Sequence, residues 1–231
     1  FPVLHFMIQT GEKKDATTSR DFFGCACHGR TVSHLDALCH RFWKGRMYNG
    51  FPANEVRVDG AYRNAIHDVR ERVSGRGVLL DVPAAAGKDW LSPGQALHPA
   101  DLEAAERAQG VIVGEGDLLL VRTGRFHPGR PEDPSLAGLD RSVLPWLHAR
   151  RIAVLGGDGV NDVAAYKVSP RILPIHDVGL VAIGLHLLDN QDLENLSATC
   201  ARLRRHAFFY VVAPLHLEKG TGSPVTALAI F

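Results

Sequence analysis

Short apolar runs closed off by glycine or proline recur along the chain. Residues 75–83 read GRGVLLDVP, 116–124 read GDLLLVRTG and 152–159 read IAVLGGDG. Runs of this length and bounding predict buried strands. Residues 207–215 (AFFYVVAPL) and 225–231 (VTALAIF) predict two closing strands, joined through a loop at 218–224. Helical patterns lie between them. Residues 98–110 carry Pro99 and Asp101 near the start and Gly110 at the stop, and 142–151 predict a second, short helix. Residues 175–188 are apolar enough for a buried helix. Residues 190–206 begin at Asn190, with an acidic first turn and a basic last turn that suit a helix dipole. Strands and helices alternate irregularly, which predicts an α/β protein with a mixed sheet. No Pro- or Ser-rich linker divides the chain, so one domain over 1–231 is expected.

Residues 28–40, HGRTVSHLDALCH, break the pattern. Each imidazole or carboxylate here must find a partner or bear a desolvation cost if buried. In an extended segment His34 and Asp36 lie on one side of the chain. If DALCH turns helical, Asp36 and His40 share a helix face. Either way three ligand-type side chains can converge. Imidazole beside carboxylate suits Zn, Mn or Fe rather than Ca or Mg. The alternative is a polar loop whose histidines cap backbone groups. Two further polar features need weighing. Asp158 and Asp162 lie in GGDGVND at a strand end, where an aspartate after glycine is more often a turn residue than an acid–base group. His176 and His186 lie ten residues apart on the predicted apolar helix, and a lone histidine there is more often a satisfied core residue. Arg122, ending a buried strand, is expected to pair with a carboxylate of the protein.

Composition adds mainly exclusions. The net charge is +1, so no electrostatic footprint for nucleic acid or an anionic membrane stands out. No apolar run approaches the ~18–20 residues that span a bilayer. The first residues do not read as a signal peptide, and the chain starts at Phe1 rather than Met, consistent with residues missing before it. Cys25, Cys27, Cys39 and Cys200 make no CxxC motif, and a reduced, cytoplasmic protein is expected.

The stretch RTVSHLDALCH resembles the HxGTHxDxxxH hallmark of the metal-dependent cyclase family, which includes bacterial kynurenine formamidase and isatin hydrolase. His34, Asp36 and His40 fit the second half, with Ser33 in place of Thr. Weaker likenesses follow in order at 76–82, 116–124, 174–196 and 213–231, so the resemblance covers nearly the whole chain. The family's first histidine would fall at Arg30, and His28 comes two residues early. In kynurenine-hydrolysing members that histidine helps to hold one of two metals. The site is therefore mononuclear, or His28 reaches in through a two-residue bulge.

The resemblance implies a cyclase-like α/β fold of the swivelling β/β/α type, with a barrel-like mixed sheet and flanking helices. It also implies a homodimer or homotetramer acting on a small molecule. It implies that His34, Asp36, His176 and Asp189 hold one divalent ion, Zn or Mn, with a second ion possible. Asp189 stands where the family has Glu or Gln, one methylene longer. His40 is the candidate general base and later acid. His28 is expected to orient substrate or a ligand carboxylate. Phe42, Trp43 and Tyr48 are candidates for a substrate pocket, on a loop turned by Asn49-Gly50. Three functions stay open: hydrolysis of an amide or lactam in a cyclic or aromatic substrate, ring closure or lyase chemistry on a polyketide-like intermediate, and a catalytically silent binding protein.

Overall fold

A computed structural model describes residues 3–69, 71, 73–164 and 173–231. Near its start β1 (Leu4–Gln9) and β2 (Arg20–Gly24) form an antiparallel hairpin of their own. Then comes β3 (His34–Asp36). Two-residue ladders fasten loops: β4 (Val56–Arg57) with β5 (Gly60–Ala61), and β7 (Ala96–Leu97) with β9 (Gly138–Leu139). The larger strands are β6 (Ser74–Asp81), β8 (Leu118–Arg122), β10 (Val154–Gly157), β11 (His186–Asp189), β12 (Ala207–Pro214) and β13 (Gly222–Ile230). With β3 they close a barrel in the order β10-β11-β3-β13-β12-β6-β8.

The barrel is mixed, and its composition explains where. Strands β6, β8, β10 and β11 pair in parallel. They are covered on both faces and read as continuous apolar runs. Leu119, Val121, Leu155 and Leu187 join one core cluster, while Leu79, Leu120, Val154 and Leu188 join the other. Strands β12 and β13 are antiparallel and alternate buried with exposed residues. The first cluster is covered by α2 (Pro99–Gln109), α3 (Leu144–Arg150) and α4 (Pro174–Val178). In α2 the Asp101 carboxylate accepts the His98 N–H at 2.7 Å, and Gly110 ends the helix at φ 62°. A short α1 (Val82–Ala85) follows β6, and α5 (Glu194–Leu203) packs on the second cluster.

Two expectations need correction, and one open alternative is decided. Residues 175–188 are not one helix. The helix α4 runs into a π-turn at Gly179–Ile183, Gly184 stops it at φ 75°, and the chain enters β11. A side chain at Gly184 would also strike the Tyr48 ring, at 2.4 Å. Two apolar segments of different period were thus joined in one run. Residues 190–193 are not helical either, because Asn190 adopts φ 57° and α5 starts at Glu194. Residues 37–40 form a turn, not a helix, with the His40 N–H donating to Ala37 O at 2.9 Å.

Candidate metal centre

Strand β3 carries Leu35 into the apolar core and turns His34 and Asp36 to its other side. Antiparallel pairing sets Asp189 of β11 directly opposite His34, so their side chains share a face. His176 arrives from α4. His176 Nε2 lies 3.4 Å from both Asp36 Oδ2 and Asp189 Oδ2. His34 Nε2 lies 3.4 Å from Asp36 Oδ1 and 4.0 Å from Asp189 Oδ2. All four residues are buried.

Each candidate ligand is oriented from behind. His34 Nδ1 donates to Val32 O at 2.8 Å, and His176 Nδ1 donates to Asp162 Oδ2 at 2.7 Å. Both rings therefore offer Nε2 to the cluster. Asn161 Nδ2 donates to Asp189 Oδ1 at 2.6 Å. Asp162 also accepts the N–H groups of Ile175 and His176. Such outer partners fix the tautomer and aim of a metal-binding histidine. Asp158 and Asp162 are thus buried acceptors rather than exposed turn residues. Asp158 takes the N–H groups of Thr123, Gly124 and Arg125, and its burial raises its pKa. Arg122 pairs with Asp81 and Glu194, as expected.

His28 comes back over the cluster despite its early position. Its Nδ1 donates to Asp36 Oδ1 at 2.9 Å, and its Nε2 lies 3.0 Å from Thr221 Oγ1. Gly222 on β13 makes room, since a Cβ there would lie 2.6 Å from the His28 ring. The His40 ring stacks on His28 with centroids 3.8 Å apart and lies 6.4 Å from that of His176. The structure therefore brings together His28, His34, Asp36, His40, His176 and Asp189. Phe42 and Trp43 are exposed, Trp43 being held by paired backbone bonds to Arg46, and Tyr48 packs on Gly184. His186 leaves the cluster to other groups and donates from Nδ1 to the Asp36 carbonyl at 2.8 Å.

The charges lock together. Burial opposes an imidazolium on His28, but hydrogen bonds to Asp36 and Cys27 outweigh it and hold its pKa up at about 9. His34 and His176 are raised too, against their burial, by Asp36 and by Asp189 and Asp162. Asp36 is held well below the usual carboxylate range, because the neighbouring imidazoles of His176, His28 and His34 overcome its burial. His40 goes the other way, lowered to about 4 chiefly by burial. Without an ion, protons on the imidazoles balance the carboxylates. One observation marks a place for a partner: Asp36 Oδ2 is buried and accepts no hydrogen bond among the described residues. Two imidazole nitrogens facing two carboxylates, with an orphaned oxygen between them, fit a divalent transition ion. His28, Asp36 and His40 form a second group whose ligand atoms lie within 4.8 Å of one another.

The cyclase family model matches residues 7–161, about two thirds of the chain. The chain belongs to the cyclase family. This cyclase-family protein superposes on the crystal structure of a novel cyclase with TM-score 0.89 and 27% identity, covering 100% of this chain and 82% of that one. Isatin hydrolase A from Ralstonia solanacearum matches at TM-score 0.69 and 20% identity, over 99% of this chain and 81% of the other. A potential metal-dependent hydrolase with cyclase activity matches at TM-score 0.60 and 16% identity, over 98% and 86%. The last two likenesses speak for the fold alone. No curated protein matches by sequence. Among the described residues no helix is long and apolar enough to cross a membrane.

Sequence reasoning missed Asp162, Asn161 and Asn190 as supports. The signal was present for Asp162, since GGDGVND places carboxylates and an amide after a buried strand. Their direction could be read only once α4 and β11 were in place.

Proposed function

We propose that this protein is a metal-dependent hydrolase that opens an amide or lactam of a small cyclic or aromatic substrate. The observation that carries the reading is the buried Asp36 Oδ2, which has no hydrogen-bond partner among the described residues and faces His176 Nε2 at 3.4 Å. His34, Asp36, His176 and Asp189 would hold one Zn or Mn ion. Bound there, such an ion supplies a Lewis acid for the carbonyl and brings the pKa of a water from about 15.7 towards 7. The residues do the rest. Asp36 and Asp189 offset the positive charge. His40, whose burial favours the neutral imidazole, has a free lone pair and takes the proton from the attacking water. The same imidazole then returns a proton to the leaving nitrogen. His28 holds Asp36 in place through Oδ1.

The family resemblance also implies a homo-oligomer, and the exposed apolar side chains of the β1–β2 hairpin support a second copy of the chain as their cover. Metal analysis of the purified protein, with an assay of cyclic amides in oxygen-labelled water, tests the reading. Stoichiometric Zn or Mn and label in the product carboxylate are expected. A metal-loaded protein whose product carries no label points to ring closure instead. A protein that takes up no transition metal overturns the proposal.

A further inference from the structure

Asn190 follows the candidate ligand Asp189, and its side-chain amide N–H groups and its backbone carbonyl reach the segment that bears His28 and His34. Its Nδ2 donates to Gly29 O at 2.7 Å and to Val32 O at 3.2 Å. Its own carbonyl accepts the Ser33 hydroxyl at 2.6 Å. Val32 O is also the acceptor for His34 Nδ1. The amide oxygen of Asn190 accepts from Arg125 Nη1, which also donates to Asp158 O at 3.1 Å. Arg125 Nη2 donates to Arg30 O at 2.7 Å. The Arg125 backbone N–H is in turn fixed on the buried Asp158 carboxylate. These bonds join four places in the chain: the end of β8, the end of β10, the end of β11 and the loop before β3. Asn suits the left-handed backbone at φ 57°, which a longer or branched side chain disfavours.

We infer that Asn190 and Arg125 are positioning residues, a clamp that fixes the 29–33 loop so that Val32 O holds His34 with Nε2 towards the cluster. Arg125 is a fork with rigid spacing, so one side chain can reach three acceptors at once. The inference takes the cluster as a metal centre only for its affinity readout. It also predicts a ring state that needs no metal.

The test uses the full chain and its Asn190→Gly, Asn190→Asp and Arg125→Lys variants. Glycine keeps the left-handed backbone without strain. Aspartate keeps an acceptor for Arg125 but cannot donate to Gly29 and Val32. Zn affinity is read by competition with a coloured chelator. The His34 tautomer is read by side-chain nitrogen NMR on metal-free protein at alkaline pH, where the ring is neutral. Both Asn190 variants should bind Zn about 10–100-fold more weakly, the scale for losing an outer partner. Both should show His34 as a mixture of tautomers, while the unaltered chain shows the Nδ1–H form. Arg125→Lys should shift both readouts in the same direction, less far. Wild-type affinity together with an unmixed tautomer in both Asn190 variants overturns the clamp. If the unaltered chain binds no Zn, the metal reading fails, and the tautomer in metal-free variants still decides: a mixture supports the clamp and a single form refutes it.

Discussion

The β1–β2 hairpin holds Leu4, Phe6, Ile8 and Phe23 between 49% and 64% exposed, while β3 holds His34 at 1% and Asp36 at 0%. Nine residues separate the two. Each inverts the ordinary placing of apolar and polar side chains. The buried inversion is answered inside the chain, because the imidazoles of His28, His34 and His176 each find a carboxylate or carbonyl. Among the described residues, the buried Asp36 Oδ2 is left without a hydrogen-bond partner. The exposed inversion has no such answer. A two-stranded hairpin is marginal in water unless something covers it. The difference teaches that buried polar groups point to an ion or a reaction, whereas exposed apolar groups point to another macromolecule.

The sharpest way to break the comparison is to remove the buried side of it. Asp36→Ala should lose stoichiometric Zn or Mn and with it measurable turnover. His34→Ala should lose metal less completely, because it removes a ligand but no counter-charge. Mass-spectrometric metal content checks this, and full occupancy in either variant refutes the ligand set. Next in size, His40→Ala should keep its metal and lose turnover by about 10²–10⁴-fold, the usual scale for a general acid–base group. If instead His28→Ala empties the site while His40→Ala stays active, the two histidines exchange roles.

On the exposed side, Phe6→Asp with Phe23→Asp should lower the mass measured by light scattering to that of one chain, with metal content unchanged. An unaltered chain that is already monomeric shows that the hairpin is not covered by a second copy. The smallest effect is one of pH. His28 is raised from 6.5 to about 9, so in metal-free protein its contribution is complete below pH 6.5 and fades as pH rises through about 9. The melting temperature of the metal-free chain should fall over that window, and His28→Asn should flatten the fall. A melting temperature that rises over the window in the metal-free chain runs against the charge arrangement.

From the sequence alone, the strands at 75–83, 116–124 and 152–159 were legible because parallel strands covered on both faces leave uninterrupted apolar runs. The α2 helix was legible from its local capping residues. The pair His34 and Asp36 was legible because alternation in an extended strand is a property of the backbone itself. What followed 175 was not, since hydrophobicity does not change where a helix gives way to a strand, and Gly184 was the only mark of the boundary. The tertiary structure alone decided that His28 overcomes its early position, because Gly222 on β13, far along the chain, vacates the space its ring fills. It also decided that Asp162 and Asn190 support the cluster, since their partners lie 14 and about 160 residues away. Residue types and short spacings state which chemistry a chain can assemble. Only the closing of the barrel states which distant groups will face it, because that depends on strand register and not on local preference.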